Sequence, residues 1–397
     1  MARTVGTIVR GIRAPIVKEG DDLVQIVVDS VLQSAQAENF PLYDRDVIGI
    51  TESLVARTQG NYITVDHIAE QIKALYPGDE LAVLFPILSR NRFSLILKGI
   101  AMSGKNIHLF LNYPSDEMGN HLMDVERMDE LEISPFTDVL TEDKYRELFG
   151  DHVSHPFTGI DYVAMYKQLA INDNIQIYLA NDPKVALKYT KQILAANIHD
   201  RHRTKKLLKK AGAEQIYGLD DLLTQPINGS GYNPEYGLLG SNTATDRTLK
   251  LFPRDCPALV REIQQQLLEK SGKKIEVMVY GDGAFKDPKG KIWELADPVV
   301  SPGYTDGLQG TPNEIKLKYI ADNELVNLEG SAMAEAIRQK IKDKDQKAGG
   351  PEESSLGTTP RQITDLLGSL CDLTSGSGDK GTPIVLVQRY FDNYATE

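Results

Sequence analysis

The chain has 397 residues, 41% of them hydrophobic and 25% charged, which are globular values and enough for two or three domains rather than one core. Its net charge of -12 argues against nonspecific grip on nucleic acid or an anionic membrane, because phosphate would be repelled over most of the surface. Cys256 and Cys371, its two cysteines, supply neither a disulfide framework nor a zinc spacing. The N-terminus lacks an apolar signal core and no run of about eighteen apolar residues occurs, so a cytoplasmic protein with no membrane partner is expected.

In chain order, residues 5–9 read as a strand leading into the turn Gly11-Ile12-Arg13-Ala14-Pro15. Asp21 or Asp22 caps a helix over residues 23–37, where Leu23, Ile26, Val27, Val31 and Ala35 recur at helical spacing. A short apolar strand at 46–51 closes on Glu52-Ser53. Small polar residues at a strand end can dock a phosphate or base; an ordinary loop with Glu52 in water is the equally plain reading. A second short strand at 62–65 and a helix at 64–75 follow. Residues 80–83 and 93–99 look extended, and a strand at 107–111 runs into a turn that carries Asp116.

From residue 123 the character changes. Acidic loops give way to a strand at 175–179, then to Asp182-Pro183 opening a helix over 184–196. The basic segment 200–210 reads as an anion or nucleic-acid contact, or as a solvated helix face with Leu207 and Leu208 docked inward. The second reading suits so acidic a chain. Residues 213–217 and 219–223 form another strand and helix, and 224–246 is a long Gly, Asn and Ser loop of the kind that is usually functional or mobile. His152, His155 and Asp161 invite a metal reading, but beside Pro156 they lack the helical spacing of zinc enzymes, and a surface loop is the plainer reading.

An amphipathic helix at 258–270 returns the chain to a strand in which Ile275, Val277 and Val279 alternate with Glu276, Met278 and Tyr280. It ends in Gly281-Asp282-Gly283, where two glycines can hold a carboxylate against a ligand; on spacing alone, an Asp-Gly hairpin turn is favoured. Asp116 repeats the pattern of an apolar strand followed by an acid. The two acids would share a divalent cation if their strands lay side by side. A strand at 315–321, a helix at 328–341, an exposed linker near 342–359 and a short helix after Pro360 come next. A glycine-rich loop at 374–383, able to cradle phosphate with its amides, precedes the closing strand 384–387.

Taken in this order, the segments around Gly11 to Leu23, Asp46 to Gly60, Asn112 to Asp116, Asp282 and Gly378 to Pro383 resemble the coenzyme F420:L-glutamate ligase family. The resemblance implies an α+β fold of mixed sheets with helices, in ligase-like parts at 1–122 and 271–397 around an inserted α/β region at 123–270. It further implies a homodimer that uses GTP with Mg2+ or Mn2+ to join a small-molecule carboxylate acceptor to L-glutamate through an acyl phosphate. The family's metal acids fall on Asp116 and Asp282, and its nucleotide contacts on Gly11, Ile12, Arg13, Ala14, Glu52, Ser53 and Arg57. This chain departs from the family pattern in carrying Glu52-Ser53 for Ser-Thr, Arg57 for Lys, Gly283 for Thr, and Arg361-Gln362 for an acidic pair. Those departures favour an alternative, a nucleotide- or ligand-binding protein that kept the fold with altered chemistry.

Overall fold

The computed structural model describes residues 4–156, 158–281, 285–286, 293–294, 301–312, 314–346, 362–375 and 378–396. Two sheets organise the chain. The strand Glu276–Tyr280 is buried at every position, so its alternating sequence has a helix-covered core on each side. Ile275, Val277 and Val279 pack with the helices Leu23–Ala37 and Cys256–Ser271, while Met278 and Tyr280 pack with the helix Ile363–Ser375. Asp22 caps the first of these helices by accepting from the Gln25 amide. Along it Val24, Val27, Val28 and Val31 are buried, each contributing on the order of 1.5–3 kcal/mol of apolar transfer.

This first sheet runs, strand by strand, Ile8–Ile12, Ile384–Gln388, Val47–Thr51, Glu276–Tyr280 and Gly303–Tyr304. The Val47–Thr51 and Glu276–Tyr280 strands are parallel, and Ile384–Gln388 runs antiparallel between Ile8–Ile12 and Val47–Thr51. Its register sets Ile12, Ile384, Ile50 and Val279 in one row. Gly49 sits centrally because a Cβ there would lie 2.5 Å from Cys371 Sγ on the covering helix.

The second sheet has six strands: Leu140–Thr141, Ile175–Leu179, Asn106–Leu111, Glu80–Leu84, Gln192–Ala195 and Gln215–Gly218. All but the first are parallel. Numbered along the chain, these parallel strands lie in the order 3-2-1-4-5. Two of them, Glu80–Leu84 and Asn106–Leu111, precede residue 123, so this sheet crosses the boundary expected there. A three-stranded sheet of Asn242–Thr243, Thr248–Lys250 and Tyr62–Thr64 crosses it again. The fold is α+β.

Several expected elements differ. The strand expected at 5–9 is Ile8–Ile12, so Gly11 and Ile12, expected in a turn, pair with Val385 and Ile384. Residues 93–99 belong to the helix Phe93–Ala101, where Phe93, Leu95, Ile96, Leu97, Gly99, Ile100 and Ala101 are all buried; a run apolar on every side carries no period that separates helix from strand. The helix expected over 184–196 is a single 3-10 stretch, Pro183–Lys188, followed by the interior strand Gln192–Ala195. In the strand expected at 315–321, residues 317–321 are helical rather than extended, with Leu317–Tyr319 leading into Ile320–Glu324; Leu317 and Tyr319 are exposed, Ile320 is buried, and among the described residues no sheet strand pairs with them. The helix Gly330–Gln346 takes in the start of the expected linker, and 347–359 lie outside the described residues. In the basic helix Arg201–Lys210, Leu208 is fully buried and Leu207 partly so, while Arg203, Lys206, Lys209 and Lys210 face water. Among the described residues no helix is long and apolar enough to cross a membrane.

Candidate functional site

At one end of the first sheet the row Ile12, Ile384, Ile50 and Val279 is succeeded by the last paired residues, Thr51 and Tyr280, and by the segments through which the other two strands connect outward. Ala14, Pro383, Thr51 and Tyr280 all line one cleft of about 550 Å³. Backbone hydrogen bonds fix these exits against each other: Ala14 N donates to Gly381 O at 3.2 Å and Thr51 N to Pro383 O at 3.0 Å. Gly381 takes φ +65 at the turn, a conformation that favours glycine. The opposite wall comes from the three-stranded sheet, through Tyr62, Asn242, Thr243 and Lys250.

The helix Glu52–Thr58 starts at the cleft, with the Thr51 hydroxyl accepting from Leu54 N at 3.3 Å. Its sequence divides by face. Leu54, Val55 and Ala56 are buried, whereas Ser53 and Arg57 are exposed on the cleft side. Arg57 Nε donates to Val17 O at 2.5 Å, which anchors the base of the guanidinium to the N-terminal segment. Glu52 is 4% exposed, a costly position for an isolated carboxylate. Lys250, itself 8% exposed, answers it with Nζ 2.5 Å from Glu52 Oε1. The repulsion that a carboxylate at this position would exert on a phosphate is thereby offset by an ammonium in contact with it. On the far side, Asp372 and Ser375 of the helix Ile363–Ser375 complete the lining with Thr382.

The expected nucleotide contacts are partly gathered here. Ala14, Glu52, Ser53 and Arg57 line the cleft. Ile12 is a core residue, Gly11 lies where an added Cβ would meet the Thr382 side chain at 3.1 Å, and Arg13 is exposed. Of the glycine-rich loop, Ser375, Gly378, Gly381, Thr382 and Pro383 line the cleft, and 376–377 lie outside the described residues. Lys250, Tyr62 and Asp372 were not among the expected contacts. Nothing local marks Lys250, which ends a three-residue strand; its position arises from pairing with Tyr62.

Asp116 stands elsewhere. It follows the Asn106–Leu111 strand of the second sheet, lines a different cavity, and is 7% exposed. Oδ1 accepts from Met118 N and Asn120 N, both at 2.9 Å; Oδ2 accepts from Leu88 N at 2.8 Å and Asn120 Nδ2 at 2.7 Å. Burial pushes its pKa up, against the lowering effect of those hydrogen bonds. The carboxylate therefore acts as the organiser of its loop, with its acceptor capacity filled. Asp282, expected to share a cation with it, lies outside the described residues. Gly281 just before it is described: a Cβ there would lie 3.1 Å from Glu52 Cγ, at the wall of the first cleft. Asp161, near His152 and His155, is paired with Arg146 at 2.6 and 3.0 Å and caps the helix Tyr162–Lys167. Among the described residues no group of three or more His, Cys, Asp or Glu side chains is arranged to hold a metal ion.

The fold and site define an α+β protein with a polar cleft at the open end of a mixed sheet, carrying two cations, several hydroxyls and the Tyr62 ring. The chain belongs to the F420-0:gamma-glutamyl ligase family, whose model matches residues 11–389, a range that includes the middle region. No curated protein matches it.

Proposed function

We propose that the protein is a γ-glutamyl ligase that joins a small-molecule carboxylate acceptor to the amino group of L-glutamate, with GTP as the energy source. The observation that carries this reading is the convergence of Ala14, Glu52, Ser53, Arg57 and the 378–383 loop on one cleft, together with membership of the family. The acceptor carboxylate attacks the γ-phosphorus of GTP, GDP leaves with the bridging oxygen, and an acyl phosphate forms. The glutamate amine then attacks the acyl carbon, the C–O bond to phosphate breaks with its electron pair leaving on phosphate, and the amine loses a proton. In-line phosphoryl transfer asks mainly for positioning and for charge that meets the phosphate oxygens.

This chain's residues are suited to those tasks. Arg57 offers guanidinium donors to phosphate oxygens, a pairing whose planar geometry favours specificity. Lys250 is held by Glu52, so an ammonium sits in the wall at no net local charge. Ser53 and Thr382 hydroxyls add neutral donors, and the half-buried Tyr62 offers aromatic surface. A magnesium or manganese ion needs only one or two carboxylates when substrate phosphates complete its shell. Asp372 in the lining, and Asp282 next along the chain from Gly281, are the acids we assign to it, and Asp116 is not. The ion would neutralise phosphate charge. A homodimer in the cytoplasm is part of the same proposal.

The test is inorganic phosphate release from GTP with Mn2+, L-glutamate and F420-0. The reading expects release that needs both glutamate and acceptor, with a product heavier by one glutamyl residue. A second reading, a binding protein that kept the fold, is favoured by the Glu52 carboxylate in the lining. It expects nucleotide binding with no phosphate release for any carboxylate acceptor.

A further inference from the structure

The parallel strands of the second sheet lie in the order 3-2-1-4-5, so the direction of winding reverses between Glu80–Leu84 and Gln192–Ala195. In open parallel sheets ligands bind outside the carboxyl ends of the strands at such a reversal. A cavity of about 290 Å³ lies at those ends, lined by Phe85, Asn112, Asn181 and Asn197, which follow the four neighbouring strands. Asn197 supplies the second, independent observation. It is 2% exposed, its Nδ2 donates to Thr204 Oγ1 at 2.9 Å, and its buried Oδ1 has no hydrogen-bond partner among the described residues. A buried acceptor left unmet costs stability that a donor from a ligand would restore.

The chemistry of the lining selects the ligand. Phosphate is excluded on both sides of the reversal. The segment after Glu80–Leu84 runs Phe85-Pro86-Ile87-Leu88-Ser89 without a glycine, so no backbone can close on a pyrophosphate. After Gln192–Ala195 the amides of Ile198, His199 and Asp200, at the start of the helix Arg201–Lys210, already donate to the Glu117 carboxylate at 2.9, 3.1 and 3.4 Å. Asp116, Glu117 and Asp200 set three acids against one cation in the lining, Arg203, whose guanidinium lies 4.0 Å from the exposed Asp200 carboxylate, a balance that repels anions and attracts cations. We infer that this cavity is a second binding site, separate from the nucleotide cleft, for a small phosphate-free ligand whose protonated amine donates to Asn197 Oδ1 and faces the Asp200 carboxylate. A diamine and a free amino acid both present that ammonium; the amino acid's carboxylate would face Arg203.

Calorimetric titration of the full chain with putrescine, with each of the common L-amino acids and with inorganic phosphate tests this. At least one amine is expected to bind, phosphate is not, and Asn197→Leu and Asp200→Asn are each expected to weaken the amine at least tenfold while GTP binding is unchanged. A further loss on Arg203→Ala identifies the ligand as an amino acid, and indifference to it as a diamine; either result supports the site. Absence of binding by every amine, or binding that survives both Asn197→Leu and Asp200→Asn, overturns the inference whatever becomes of the ligase reading. Asp200 is exposed, so its variant decides the matter if the Asn197 variant fails to fold.

Discussion

Lys250 Nζ stands 2.5 Å from Glu52 Oε1 across 198 residues of sequence, and the contact ties the three-stranded sheet to the helix that opens at the end of the first sheet. It closes one wall of the cleft and offsets the charge that the Glu52 carboxylate would otherwise present there. Removing either partner leaves a charge buried without compensation. Lys250→Met and Glu52→Gln should each cost about 3–5 kcal/mol, and the double variant should cost less than their sum. Urea denaturation midpoints check this; simple additivity would mean that the two groups do not interact.

Gly49 tests the packing behind the same wall. A methyl group there would meet Cys371 Sγ at 2.5 Å and the Tyr280 ring at 3.2 Å, with no slack in a strand that is buried throughout its neighbours. Gly49→Ala should destabilise by about 1–3 kcal/mol, as overpacking does, and Cys371→Ala in the same chain should recover part of the loss. Thermal unfolding of the two variants measures it.

The Arg146–Asp161 pair predicts a pH dependence. Burial pushes the Asp161 carboxyl up, but hydrogen bonds from Arg146, Ala164 and Val153 outweigh it and hold the pKa below the ordinary 3.8. A carboxyl lowered on folding contributes stability that is present in full above its unfolded pKa and fades as pH falls through the folded value. The penalty of Asp161→Asn should therefore be largest at neutral pH and shrink below pH 3.8. Denaturation of both proteins at neutral and acid pH compares the two penalties; a penalty that does not shrink would remove the ion pair from the account.

Much of this was legible in the sequence where local rules suffice. Asp22 and the valine spacing after it define the helix Leu23–Ala37, and alternation marks Glu276–Tyr280 as a strand whose end, Tyr280, reaches the cleft. The family resemblance pointed to Glu52, Ser53 and Arg57, which the structure places on the helix Glu52–Thr58, and the run of glycines pointed to the loop at 374–383. Long-range pairing was not legible: Lys250 gains its role from register with Tyr62, and Asp116 looked like a ligand because an acid in a turn does not show in its spacing that Met118 and Asn120 of that turn, with Leu88 N from another segment, fill its acceptors. Buried runs such as Phe93–Ala101 hide their period because both faces are apolar.

The most direct test of the cleft as the nucleotide site is photolabelling with 8-azido-GTP and Mn2+, followed by peptide mapping. Label is predicted on peptides that carry residues 14–16, 51–57 or 372–383, and Arg57→Ala should lower it by roughly 10-fold or more, the loss expected for one charge-assisted hydrogen bond. Label confined to peptides around residues 112–117 or 197–207, unaffected by Arg57→Ala, would contradict the account.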